Sequence, residues 1–333
     1  MKRFPLVLLI FFCVMGAFPA RAEKLPREVT IASVTLMSQF GSPHDTMGET
    51  VEERIERTLE RMEETVAYEP DIVCLSEVFA HTGLPDLPPV SERADEAPAI
   101  LKRFAVFARD HNCWVICPVY TNQAGKVYNA AVLIDRNGRI VGEYDKIHPT
   151  EGEIEAGIAP GPINPPVFET DFGTIGMMIC FDANWPDDWR KLKENGAEIV
   201  FWPSAFAGGK IINALALMNG YHIVSCTRYQ PARLIDINGE DIASNGRLQS
   251  WFVDTINLDR KIFHWDFQAD EFRRIQDKYG DKIGFRIEHP EGWFILESRS
   301  PDITIDGIMK EYGLVTYDEY IARATRAQIE ARN

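Results

Sequence analysis

Apolar positions change their spacing along the chain, and each change predicts a switch between strand and helix. Residues 29–36 alternate and are rich in β-branched side chains, which predicts a first strand. From Val51 to Val66 the apolar side chains recur every three or four positions, as on the buried face of an amphipathic helix. Because such strand and helix patterns alternate along the chain, the spacing predicts a layered α/β domain.

Two Asn-Gly pairs mark predicted hairpins within this alternation. Residues 128–134 and 139–144 flank Asn137-Gly138, and residues 233–245 contain Asn238-Gly239. Asn-Gly readily adopts the positive φ angles that a tight turn between antiparallel strands requires. The remaining predicted core strands are residues 113–120, 198–202, 221–227 and 251–259.

Cys180 stands at a predicted junction between a strand and a helix. The apolar run 175–179 precedes it, and Pro186 suits the first position of a following helix. A cysteine at such a turn is held rigidly and faces substrate, and the positive end of the helix would favour its thiolate. A buried structural thiol is the other interpretation, and position alone does not separate the two.

A thiol nucleophile needs a base and a cation for the oxyanion, and two other strand ends offer them. Glu77 ends the apolar segment 71–77, and Lys146 directly follows the first predicted hairpin. Taken singly, each would be an ordinary solvated residue at a strand end. Their order changes that interpretation. A Glu after an apolar strand, a Lys in a K-x-H segment and a Cys in G-x-x-I-C-[YFW]-[DE] resemble the nitrilase superfamily of carbon–nitrogen hydrolases.

The resemblance covers about residues 29–259 and implies a four-layer α-β-β-α sandwich with its site at strand ends. It also implies roles for three side chains: Cys180 as nucleophile, Glu77 as acid and base, and Lys146 as oxyanion stabiliser. The backbone N–H of Phe181 would be the second oxyanion donor. No metal or organic cofactor is implied.

Family members often carry a second glutamate near the lysine. Three candidates follow Lys146 here, namely Glu151, Glu153 and Glu155. The family's spacing to its following Pro-Gly pair favours Glu155, while a charged loop is the simplest interpretation of the other two. Arg228 and Arg233 are expected near the pocket rim, where they would hold a substrate carboxylate or remain ordinary surface residues.

The residues after the nucleophile bear on the substrate. Nitrilases typically have Cys-Trp-Glu at this point, whereas Cys180-Phe181-Asp182 is closer to the Cys-Tyr-Asp of amidases and carbamoylases. The resemblance therefore implies hydrolysis of a small amide or N-carbamoyl compound, with release of ammonia or an amine. The alternatives are a nitrilase acting on a small nitrile, a secreted inactive binding homologue, and acyl transfer to another amine.

The N-terminus has the pattern of an export signal. Two basic residues precede the apolar run 4–18, and Ala20-Arg21-Ala22 is an A-x-A cleavage site. Residues 1–22 are therefore expected to be a signal peptide that sends the protein to the periplasm or the cell exterior. An uncleaved N-terminal anchor is the alternative.

The rest of the chain is expected to form two parts, a hydrolase domain over residues 28–260 and a C-terminal extension over residues 261–333. The resemblance implies that the extension packs on the domain or on a dimer partner, within a homodimer or higher homo-oligomer. The formal net charge of −15 argues against nucleic acid or anionic lipid as a partner. Cys113 and Cys117 are separated by about 13 Å along a strand, too far to bridge, and no structural disulfide is expected.

Overall fold

The computed structural model describes residues 25, 27–36, 49–229, 231–246 and 249–333. The expected signal peptide, residues 1–22, lies outside the described residues. In this described part, no helix has the length and hydrophobicity that a membrane crossing requires.

Fifteen strands and nine α-helices are present in the described residues. The strands are β1 (Glu28–Val34), β2 (Ile72–Leu75), β3 (Trp114–Gln123), β4 (Lys126–Ile134), β5 (Ile140–Asp145), β6 (Val167–Glu169), β7 (Thr174–Met177), β8 (Ile199–Ser204), β9 (His222–Thr227), β10 (Arg233–Ile235), β11 (Asp241–Ser244), β12 (Trp251–Asn257), β13 (Arg260–His264), β14 (Ile283–Glu288) and β15 (Trp293–Ser298). The helices are α1 (Val51–Val66), α2 (Val90–Asp95), α3 (Ala97–Asp110), α4 (Glu151–Glu155), α5 (Pro186–Glu194), α6 (Gly209–Asn219), α7 (Ala269–Tyr279), α8 (Ile305–Tyr312) and α9 (Tyr317–Arg332).

Two six-stranded sheets with matching topology form the body of the protein. The first has the order β12-β1-β2-β3-β4-β5 and the second the order β11-β10-β9-β8-β7-β6. In each sheet three central strands are parallel and the outer strands are antiparallel. The carboxyl ends of parallel strands meet at one edge of a sheet, where open α/β proteins place their sites.

The sheets pack face to face, and helices cover their outer surfaces. Ser33 Oγ on β1 donates to the carbonyl of Ser225 on β9, which joins the two inner faces. Apolar side chains of α1 and α3 pack on the outer face of the first sheet, and those of α5 and α6 pack on the second. The predicted α-β-β-α sandwich is therefore confirmed.

Two consecutive T-x-x-E segments, residues 46–49 and 50–53, stand at the start of α1, and Thr46 of the earlier one lies outside the described residues. Thr50 is the N-cap: its hydroxyl accepts from the backbone of Glu53, and the Glu53 carboxylate accepts from the backbone of Thr50. The capping box of Thr50 and Glu53 therefore sets the start of α1 at Val51. Glu49 instead pairs with Arg54 and Arg57.

Residues 260–333 form a small module with its own core. Its antiparallel sheet has the order β13-β15-β14 and carries α7, α8 and α9. Phe263, Phe294, Ile275 and Ile308 are fully buried within it. This C-terminal module packs against the body of the protein next to α5, α6 and β9.

Candidate active site

Cys180 lies at the predicted strand-to-helix turn. β7 leads to it, a single 3₁₀ turn over Cys180–Asn184 follows, and α5 begins at Pro186. Its φ of +46° is left-handed, a conformation that costs a residue other than glycine on the order of 1–3 kcal/mol. The surrounding structure therefore has to hold this turn in place.

Asp182 fixes the turn from within. Its buried carboxylate accepts from the Tyr144 hydroxyl at 2.7 Å, from the backbone of Ile179 at 2.9 Å and from the backbone of His148 at 2.8 Å. Burial raises the pKa of Asp182 to about 6, although these hydrogen bonds lower it. Since His148 lies two residues after Lys146, the carboxylate ties the lysine segment to the cysteine turn.

Glu77 and Lys146 meet at the cysteine. Lys146 Nζ lies 3.0 Å from Glu77 Oε1, and both side chains are almost completely buried. Asn129 Nδ2 donates to the same Glu77 oxygen at 2.9 Å. Val78, directly after the glutamate, has a φ of +38°, which is rare for a β-branched residue. The strained backbone on both sides of the site is typical of a held functional geometry.

Glu153, rather than the predicted Glu155, is the glutamate that contacts Lys146. Lys146 Nζ donates to Glu153 Oε1 at 2.9 Å and to Oε2 at 2.7 Å, whereas Glu155 is exposed. The supposed charged loop is α4, whose N-cap Thr150 forms a capping box with Glu153. The T-x-x-E pattern of residues 150–153 was the signal that could have identified Glu153 from the sequence.

Arg228 and Arg233 have different surroundings. Arg228 Nε donates to the backbone carbonyl of Glu77 at 3.1 Å, and its Nη2 lies 3.0 Å from Glu77 Oε2 without the alignment of a hydrogen bond. Arg233 pairs with Asp241 and donates to backbone carbonyls of residues 207 and 209. Arg228 therefore belongs to the site through Glu77, while Arg233 is occupied by structural contacts.

Burial raises the pKa of the Cys180 thiol to about 11, and the neighbouring charge of Glu77 adds to this effect. Lys146, the backbone of Ala205 and the hydroxyl of Ser204 act in the opposite direction. Cys180 therefore rests as a thiol, and not as the thiolate that the positive helix end was expected to favour. A thiol of this pKa needs a base beside it to react near neutral pH, and Glu77 is the adjacent carboxylate.

Phe181, the residue after the nucleophile, contributes an aromatic ring and a backbone N–H beside Cys180. Its ring packs edge-on against Trp185 at 5.2 Å, and Trp185 stacks on His148 at 3.8 Å. Within the described residues, the backbone N–H of Phe181 donates to no acceptor. This N–H is therefore open to a bound oxygen atom.

The other four described cysteines lie inside the protein. Cys74, Cys113, Cys117 and Cys226 are buried and form no disulfide, and burial raises the pKa of Cys113 to about 12 and that of Cys74 well above its ordinary value. Across the described ranges, no group of three or more His, Cys, Asp or Glu side chains is arranged to hold a metal ion.

Comparison with known proteins gives a family for this arrangement. The model of the family described as "Carbon-nitrogen hydrolase" matches residues 30–260. A "Deaminated glutathione amidase" of Synechocystis sp. is 30% identical over 164 residues, and the match covers 41% of this chain and 60% of that relative. The match thus spans less than two thirds of that relative's length.

One further relative and one solved structure also resemble this chain. A "Citrullinase" of Francisella tularensis is 29% identical over 223 residues, covering 57% of this chain and 77% of the relative. The crystal structure of an amidase from Nesterenkonia sp. superposes with a TM-score of 0.59 at 18% identity, covering 74% of this chain and 95% of that one. The structural likeness supports the shared fold.

Proposed function

The chain belongs to the carbon–nitrogen hydrolase family, and from this membership we propose that it hydrolyses a small amide or N-carbamoyl compound through a thioester on Cys180. The observation that carries the proposal is the buried pair of Glu77 and Lys146, joined at 3.0 Å beside a thiol that needs a base. A base, a cation and a nucleophile brought together from separate strand ends are the parts that acyl transfer requires.

In the first half of the reaction, Glu77 takes the thiol proton while Cys180 Sγ attacks the carbonyl carbon. The resulting oxyanion is stabilised by the Lys146 ammonium and the backbone N–H of Phe181, and one such donor contributes about 3 kcal/mol. Glu77, now protonated, delivers the proton to the nitrogen as the carbon–nitrogen bond breaks. Ammonia or an amine leaves, and the acyl group remains on sulfur.

In the second half, Glu77 accepts a proton from water as the water oxygen attacks the thioester. The same two donors stabilise the second oxyanion. The carbon–sulfur bond breaks, and Sγ recovers the proton held by Glu77. Apart from substrate and water, each step uses only side chains and one backbone N–H of this chain.

The proposed substrate class rests on the residues after the nucleophile and on the relatives. Phe181-Asp182 departs from the Trp-Glu typical of nitrilases, and Asp182 shapes the turn through its three hydrogen bonds. The relatives carry the names amidase and citrullinase, and these names support cleavage of a carbon–nitrogen single bond. An amide also suits Glu77, since its leaving nitrogen requires a proton.

The test compares three compounds with the same propyl side chain: butyramide, propylurea and butyronitrile. Ammonia release should give a higher kcat/KM for the amide or the urea than for the nitrile, and Cys180→Ala should be inactive on all of them. Fastest turnover of the nitrile would contradict the substrate class. No turnover across a broad amide and ureido panel would favour the inactive binding homologue.

We also propose that residues 1–22 direct export and that the mature protein is a homo-oligomer. Support for export comes from the charge and apolar pattern of the N-terminus, and support for oligomers comes from the family resemblance. Cell fractionation and the native mass in solution test the two statements separately. A monomer confined to the cytoplasm would contradict both.

A further inference from the structure

Arg228 connects the two sheets at the candidate active site. It directly follows β9 of the second sheet, and its backbone N–H donates to the carbonyl of Ser204, at the end of β8, at 3.0 Å. Its side chain reaches Glu77, which stands beyond the end of β2 in the first sheet. Since Cys180 follows β7 of the second sheet, the base and the nucleophile come from different sheets. Arg228 is therefore placed to fix the position of one relative to the other.

The guanidinium of Arg228 contacts Glu77 at two points. Nε donates to the backbone carbonyl of Glu77 at 3.1 Å, and Nη2 lies 3.0 Å from the carboxylate oxygen Oε2. Because a guanidinium is a rigid planar fork, one side chain holds both the backbone and the carboxylate of the glutamate. A lysine has a single charged nitrogen on a flexible stem and cannot make both contacts at once. Val78, the next residue, has the strained φ of +38°, so the backbone at this point needs such support.

The two carboxylate oxygens of Glu77 have different partners. Oε1 accepts from Lys146 Nζ at 3.0 Å and from Asn129 Nδ2 at 2.9 Å. Oε2 is buried and accepts no hydrogen bond in the part of the chain that the structure describes. Oε2 is thus the oxygen with free lone pairs to take the thiol proton of Cys180. Arg228 lies beside this oxygen and leaves it open, because Nη2 is not aligned as a donor to it.

Arg228 also balances the buried charges around Glu77. Lys146 contacts two carboxylates, Glu77 at 3.0 Å and Glu153 at 2.7 Å. Arg228 supplies the second positive charge of this group. Without it, two carboxylates would share one ammonium, and an uncompensated carboxylate in a buried site is relieved by binding a proton. A proton bound there would block the base.

The other ionisable groups near Glu77 are separated from this effect by their own pKa values. Burial raises the pKa of Cys180 to about 11, and burial also raises the pKa of Tyr120 above its ordinary value, so both are neutral below pH 9. Arg93 stacks on the Tyr120 ring at 4.9 Å and forms no ion pair with Glu77. Asp182, which fixes the cysteine turn, has its pKa raised by burial to about 6. Because Asp182 is present in every variant, a change in the acidic range reports on Arg228.

We propose that Arg228 is a positioning residue of the hydrolysis, which keeps Glu77 ionised in the buried site and holds Oε2 free for the Cys180 proton. In the reaction this proton passes from Sγ to Oε2 and then to the leaving nitrogen, so the O–H bond formed on Glu77 breaks as ammonia or the amine departs. The guanidinium stays protonated throughout. The inference rests on the proposed function, and it directs Arg228 towards the base and not towards a carboxylate of the substrate.

The pH dependence of kcat/KM for butyramide tests the role of the charge. A carboxylate that loses a neighbouring cation binds its proton more readily, so Arg228→Gln should move the acidic limb of the profile up by about one to three pH units. The loss of kcat should be largest near pH 6 and shrink toward pH 9, with KM changed less than about threefold. Arg190→Gln is the matched control, since Arg190 is exposed on α5 and pairs with Asp187 there. Its profile should match that of the wild type.

Arg228→Lys tests the fork, because it keeps the charge and loses one of the two contacts. The acidic limb should stay in place, and kcat should fall about fivefold through the misplaced carboxylate. This variant also keeps the test valid if Arg228→Gln does not fold. An unshifted acidic limb in folded Arg228→Gln, or a wild-type kcat in Arg228→Lys, would overturn the inference.

Succinamate, in which a carboxylate replaces the methyl group of butyramide, separates this role from substrate binding. The same loss of kcat is expected for both compounds in Arg228→Gln. A higher KM for succinamate alone, with kcat and the acidic limb unchanged, would identify Arg228 as a substrate contact and overturn the inference.

Alkylation of Cys180 by iodoacetamide gives a measurement that needs no turnover. At pH 9 it should be at least about threefold slower in Arg228→Gln, because losing a cation disfavours a thiolate beside the carboxylate of Glu77. Equal alkylation rates in the variant and the wild type would contradict the role of Arg228. Absence of turnover with every amide and ureido compound would contradict the proposed function instead.

Discussion

Replacing Glu153 with Gln tests how the lysine of the site is supported. Gln has nearly the same shape but only one acceptor oxygen. Placed where Glu153 Oε1 lies, that oxygen can accept from Lys146 Nζ and from Asn129, which donates to Glu153 Oε1 at 2.9 Å. The amide NH2 of Gln cannot replace Oε2, which accepts from Lys146 Nζ at 2.7 Å and from the backbone N–H of Thr150 at 2.8 Å. The substitution therefore removes the negative charge and one of the two acceptors beside Lys146.

The expected loss follows from the contacts of Lys146. Its ammonium is buried between two carboxylates, Glu77 at 3.0 Å and Glu153 at 2.7 Å and 2.9 Å. When Glu77 takes the thiol proton it becomes neutral, and Glu153 is then the remaining carboxylate on the ammonium. Losing the negative charge and one of the two hydrogen bonds to the Lys146 ammonium costs about 2–3 kcal/mol at that moment, which is roughly a 30- to 160-fold lower kcat/KM.

Steady-state kinetics on the best amide of the panel measure this effect, with thermal unfolding as the check on folding. Glu155→Gln is the matched control: it makes the same change two residues away at an exposed position and should leave kcat/KM unchanged. Near-normal turnover of Glu153→Gln would refute the reasoning. A comparable loss in Glu155→Gln would restore the assignment made from the family spacing.

Three further predictions concern the same chain. Glu77→Gln and Lys146→Ala should each lower kcat/KM by at least about 100-fold in a protein that circular dichroism shows to be folded, and near-normal activity of either would remove it from the mechanism. Iodoacetamide should modify Cys180 before Cys74. Because the pKa of Cys180 is raised to about 11, the rate of its modification should rise about tenfold per pH unit from pH 7 to 10. A modification rate that no longer rises above pH 7 would indicate a resting thiolate. Mass spectrometry of the exported protein should find Glu23 as its first residue, and an intact N-terminus would favour the anchor.

The alternating patterns were sufficient to predict the layered fold, and the family resemblance predicted that three distant residues meet. Glu77 and Lys146 follow strands of the first sheet, and Cys180 follows a strand of the second. Cys180 lies at its turn because an apolar run leads into it and Pro186 opens the next helix. These patterns are local, and the sandwich brings them together.

Other features depend on packing, which the sequence pattern does not record. Whether Glu153 or Glu155 contacts Lys146 depends on which of the two side chains faces the lysine on α4. The spacing between motifs in the sequence does not give this orientation. The pKa of Cys180 is set by burial, which outweighs the effects of Lys146 and of the hydrogen bonds that lower it. In the C-terminal module, β13 and β14 were not predicted, because their side chains are mostly half-buried or exposed and lack a clear alternation.

The proposed mechanism requires that Cys180 carries the acyl group during amide hydrolysis. Rapid acid quenching during turnover of butyramide, followed by peptide mass mapping, measures it directly. We expect a butyryl thioester on the peptide that contains Cys180, sensitive to hydroxylamine and absent from Cys180→Ala. Ammonia release that continues in Cys180→Ala, or an acyl group on another residue, would contradict it.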